Sequence, residues 1–123
     1  MSQILYVYGT LMREQRNHWR LFGSRYLGRA TVKGQLWQFP LFDFPILRRH
    51  DSDLVHGELY QVTRGVLDVN DWYEAWYRRV RMLAQPITLH GAISGPVSCW
   101  VYEGLGLLPL RSLARRLPGR WPA

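Results

Sequence analysis

The chain has 123 residues, 47% hydrophobic and 20% charged, which suits one globular domain over residues 1–123 and excludes wholesale disorder or collagen-like repetition. Sixteen basic against nine acidic residues give a net charge of +7, but fifteen of the bases are arginines scattered from Arg13 to Arg120. No run approaches the roughly 18–20 apolar residues of a membrane span, and the opening lacks a basic signal region, so a cytoplasmic setting without a membrane is expected.

Gln3 to Tyr8 is a β-branched and aromatic run that predicts a buried first strand ending at Gly9. Thr10 is placed to cap a helix over Leu11–Phe22, with Gly23-Ser24 as its stop. Tyr26 to Phe39 predicts a bent or bulged strand at Gly28 and Gly34. Pro40 to Pro45 reads as a turn, and the polar stretch Arg48–Asp53 as a surface loop. Leu54–Val62 is the clearest later strand. Val66–Trp76 predicts a short helix, Tyr77–Leu83 and Ser98–Tyr102 two more strands, and Pro109–Leu117 a short helix with a leucine stripe. Strands outnumber helices without alternating with them. The expectation is an α+β fold with a strongly curved mixed sheet or small barrel and a few short helices.

Chemistry is sparse. His18, His50, His56 and His90 show no metal-ligand spacing, and the single cysteine, Cys99, sits in a strand as packing, so neither metal nor cofactor is expected. Tyr8-Gly9-Thr10-Leu11 follows the first strand, where a glycine lets backbone approach a ligand; most such bends simply turn. Asp68, Asp71 and Glu74 recur at i, i+3 and i+6. They read either as a solvated helix start or as a general acid/base desolvated by Trp72, Tyr73, Trp76 and Tyr77. Scattered arginines with many tryptophans and tyrosines also admit a nucleic-acid-binding module, the weaker reading because no basic tract forms.

Taken in order, Leu5–Leu11, Asn17-His18-Trp19, Val55–Val62, Leu67-Asp68, Tyr77–Val80, Trp100-Val101-Tyr102 and Pro118–Trp121 resemble the gamma-glutamylcyclotransferase-like (AIG2-like) family over nearly the whole chain. The resemblance implies a barrel-like α+β fold and cofactor-free cyclisation of a small gamma-glutamyl substrate to 5-oxoproline. By position, Tyr8, Gly9, Thr10 and Leu11 would hold the substrate, with Tyr77 beside the pocket. The family's catalytic glutamate closes a Leu-Asp-x-x-Glu motif; in the register starting at Leu67, Asp71 takes that place with a shorter side chain. Glu74 substitutes only if the turn is remodelled. An inactive or diverged member that binds an amino-acid-like ligand is the alternative.

Overall fold

Side chains alternate faces along a strand, and the first strand uses both faces. In β1 (Ser2–Val7) Leu5 and Val7 join one apolar cluster, while Tyr6, with Tyr8 just beyond, joins another; all four are buried. A computed structural model describes residues 2–39, 43–74, 77–87, 95–104 and 114–122. Its other elements are β2 (Arg25–Gln38), β3 (Ile46–Thr63), α1 (Arg64–Tyr73), β4 (Tyr77–Pro86), β5 (Val97–Gly104) and β6 (Arg115–Leu117).

The strands close on themselves. β3 pairs antiparallel with both β1 and β2, β2 pairs with β4, and β4 with β5. β5 returns to β1 in parallel, Leu5 opposite Trp100 and Tyr6 opposite Val101. The result is a small mixed barrel of five strands, with β6 added beyond β2. Tyr6, Val32, Leu36, Val55, Leu59 and Val101 fill its interior. Two tyrosine hydroxyls buried there are satisfied: Tyr6 donates to the Val55 carbonyl at 2.7 Å, and Tyr8 to the Tyr102 carbonyl at 2.5 Å. β1 lies so close to β3 that a Cβ on Gly57 would stand 2.7 Å from the Tyr6 ring and collide with the Val7 carbonyl.

The second cluster lies on the outer face of β1. Leu5, Val7, Tyr60, Val62 and Tyr102 are covered by Leu11, Leu21 and Leu67, the last from α1. α1 follows β3 without a loop, because the final strand residue, Thr63, is extended and its hydroxyl accepts the Val66 amide at 3.2 Å.

Three expectations change. Leu11–Phe22 is not an α-helix; it is a series of turns ending in a 3-10 turn at His18–Leu21, with Glu14 in the left-handed region at φ 66°. Thr10 does not cap it. Its hydroxyl and carbonyl instead accept from the Asn17 side chain and amide, each at 2.9 Å. Arg48–Asp53 lies inside β3: the register jumps from Lys33 opposite Leu54 to Gly34 opposite Arg49, so His50 to Asp53 bulge from a continuous strand while Arg48 and Arg49 stay paired with β2. Of the expected C-terminal helix, residues 109–113 lie outside the described residues, and Arg115–Leu117 is strand β6 against β2. The bulges expected near Gly28 and Gly34 are both present. No helix among the described residues is long and apolar enough to cross a membrane.

Candidate active site

Where β1 ends, between the barrel and α1, lies a cavity of about 240 Å³. The bend Tyr8-Gly9-Thr10-Leu11 forms one wall. Gly9 is needed there, since a Cβ would come within 2.8 Å of the Pro45 ring. The irregular backbone after the bend holds its shape through its own hydrogen bonds. The Met12 amide donates to the Gly9 carbonyl at 3.0 Å, His18 Nδ1 lies 2.9 Å from the Leu11 carbonyl, and the Arg13 amide reaches Glu58 Oε1 at 2.8 Å. A helix would have turned these groups inward on itself.

Tyr77, at the start of β4, also lines the cavity beside Phe44, and its hydroxyl donates to the Pro45 carbonyl at 2.6 Å. Burial pushes the Tyr77 hydroxyl well above its ordinary range, as it does for Tyr8 and Tyr102, so all three are neutral donors. The structure thus brings Tyr8, Gly9, Thr10, Leu11 and Tyr77 to one cavity.

The acidic residue in that cavity is Glu74, not Asp71. Glu74 follows the last residue of α1, where its amide donates to the Asn70 carbonyl at 2.8 Å. Its side chain is only 14% exposed. Burial raises its pKa, while the Arg20 guanidinium, 3.0 Å from Oε1, pulls it back. The negative end of the α1 dipole also disfavours the charge there. Arg20 itself is 6% exposed and stacks over Tyr73 at 5.0 Å from the ring centroid. Its Nε and Nη1 are buried without a hydrogen-bond partner among the described residues, as is Asn70 Oδ1. A buried pair with donors to spare is unusual, because each unmade bond carries a desolvation cost.

Asp71 lies outside the cavity lining. One carboxylate oxygen accepts from the Tyr102 hydroxyl at 2.8 Å, and the other meets Arg79 at 3.4 Å, with the side chain 37% exposed. It therefore reaches the cavity only through Tyr102, which lines it. Asp68 is exposed. The geometric reason is the turn of the helix: three residues advance a side chain by about 300°, and the end of α1 adds a further change of direction at Glu74.

A second register, three residues on, also fits the motif. The spacing Asp-x-x-Glu occurs intact as Asp71-Trp72-Tyr73-Glu74, with buried Asn70 standing where the motif has leucine. Asn70 misleads because it is polar, yet it occupies a core position by donating from Nδ2 to the Val66 carbonyl at 2.9 Å. Arg20 gave no signal in the sequence beyond its place beside Asn17-His18-Trp19. Cys99 is buried, its thiol pushed up to about 12 by desolvation, in keeping with a packing role.

A five-stranded mixed barrel with one α-helix among the described residues is a cyclotransferase-like architecture. The chain belongs to the gamma-glutamyl cyclotransferase, AIG2-like family, whose model matches residues 5–122. Over 83 residues it is 35% identical to a Vibrio cholerae protein named "Putative gamma-glutamylcyclotransferase", covering 64% of this chain and 70% of that one. The crystal structure of an AIG2-like protein from Mus musculus matches with a TM-score of 0.82 and 23% identity, over 94% of this chain and 86% of the other. A protein specific to uropathogenic E. coli matches with a TM-score of 0.75 and 17% identity, over 98% and 93%. At these identities the two structures establish likeness of fold.

Proposed function

We propose that the chain is a gamma-glutamylcyclotransferase in which Glu74, rather than Asp71, moves the protons. The observation that carries this reading is a buried carboxylate sharing one cavity with the Tyr8–Leu11 bend. The bend's backbone holds the glutamyl head, and Tyr77 packs against it. Glu74 takes a proton from the substrate's α-ammonium. The freed amine attacks the γ-carbonyl carbon, forming the lactam C–N bond and a tetrahedral oxyanion. As that oxyanion collapses, the bond to the original amide nitrogen breaks, and protons relayed through Glu74 from the α-nitrogen leave with the amine. The products are 5-oxoproline and the free amine, and Glu74 ends as it began. Because the nucleophile is tethered to its target, the protein supplies orientation and proton transfer without a covalent intermediate or a cofactor.

Arg20 opposes the effect of burial and favours the carboxylate form that starts as a base. Asp71 is a positioning residue that fixes Tyr102. The arginines are not left as a basic tract: Arg16, Arg20, Arg49, Arg78, Arg79 and Arg116 each meet a carboxylate.

The test is to incubate the pure protein with a panel of gamma-glutamyl amides and assay 5-oxoproline. Product from wild type, lost in Glu74→Gln, is the expected result. Stoichiometric binding without product would instead favour the diverged, ligand-binding reading.

A further inference from the structure

The two residues of the buried ion pair each have an exposed aromatic neighbour in sequence: Trp19 precedes Arg20, and Tyr73 precedes Glu74. Trp19 is 61% and Tyr73 51% exposed, yet both line the cavity, so they form its mouth. Their rings meet edge to face at 6.1 Å, and Trp72, 80% exposed, continues the surface against Tyr73 at 5.6 Å. Arg20 supports the Tyr73 ring from within. The aromatic surface is thus braced from inside and open on its outer side, where large apolar groups are seldom left without use.

This placement fixes what passes across it. If Glu74 protonates the departing nitrogen, as the cyclisation reading on which this inference rests requires, the group on that nitrogen leaves past the residues flanking Glu74 and Arg20. In the described lining Arg16 is paired with Asp43 and Glu74 with Arg20, so no unpaired carboxylate there offers a cationic amine a partner. We infer that the leaving amine carries an apolar or aromatic group that packs on Trp19 and Tyr73.

Three gamma-L-glutamyl amides test it: the 2-phenylethylamide, the ethylamide, and the monoamide of 1,4-diaminobutane. The first two have leaving amines of similar basicity, so a difference between them reads contact rather than leaving-group chemistry. The expected kcat/KM for the phenylethylamide is about tenfold or more above that for the ethylamide, the range open to an apolar subsite. The diaminobutane amide should do no better than the ethylamide. Trp19→Ala should bring the phenylethyl-to-ethyl ratio down to about threefold or less, and Trp19→Phe should restore most of it. A ratio near one in wild type, a ratio unmoved by Trp19→Ala, or a preference for the diamine overturns the inference. If no amide yields 5-oxoproline, the cyclisation reading falls. Calorimetric affinities of the same amides for the wild-type protein then decide the mouth by itself: equal affinities refute it, and tighter phenylethylamide binding sustains it.

Discussion

The two faces of β1 treat buried polar groups in opposite ways. On the barrel side, Tyr6 and Tyr8 bury their hydroxyls and satisfy both against backbone carbonyls. On the α1 side, Arg20 and Glu74 are buried as a pair, with Arg20 Nε and Nη1 unmatched among the described residues. The first arrangement closes a barrel. The second keeps hydrogen-bonding capacity in reserve beside a cavity, at a cost to stability that a purely structural layer would not carry. Substitution of Tyr6 and of the Arg20–Glu74 pair should therefore differ in kind, the first changing stability and the second changing catalysis and its pH dependence.

The largest effect is expected at Glu74. Glu74→Gln should lower 5-oxoproline formation about a thousandfold, within the range attributed to general acid–base catalysis. Arg20→Gln comes next. It strands Glu74 as a lone buried charge and should destabilise the fold by about 3 kcal/mol near neutral pH, measured by denaturant unfolding. That deficit exists only while Glu74 is ionised, so it should shrink as pH falls through the raised pKa of Glu74. The same substitution removes the one influence that lowers that pKa. Activity requires the carboxylate form and is lost as pH falls, so the acid limb of kcat/KM should move upward by about one pH unit.

On the barrel face, Tyr6→Phe should cost about 2 kcal/mol by leaving the Val55 carbonyl without its donor, with the pH profile unmoved. A catalytic pH shift in that variant would blur the contrast between the faces. The smallest effect is expected at the junction of β3 and α1: Thr63→Ala removes the cap on Val66 and should cost about 1 kcal/mol in thermal or denaturant unfolding.

Much of the barrel was legible because its signals are local. A β-branched and aromatic run marked β1, and glycines at 28 and 34 marked the places where β2 changes register against β3. The polar start of β3 was not legible, since Arg48–Asp53 has the composition of a loop while its backbone stays in the strand. Leu11–Phe22 looked helical from spacing. Its path is set instead by contacts distant in sequence, such as Arg13 to Glu58, and by Asn17 folding back on Thr10. The site was half legible. The bend and Tyr77 could be placed from motif order, but choosing between Asp71 and Glu74 needed the helix end and a buried asparagine in a leucine's position. Arg20 reaches Glu74 across 54 positions of sequence, beyond any local pattern.

The most direct measurement is a side-by-side rate of 5-oxoproline formation by Glu74→Gln and Asp71→Asn, two replacements that each swap a carboxylate for an amide of nearly the same shape. The expected outcome is near-complete loss at 74, with a fall of less than about tenfold at 71, where the hold on Tyr102 and the pairing with Arg79 are weakened. Loss at 71 with activity retained at 74 would contradict the account.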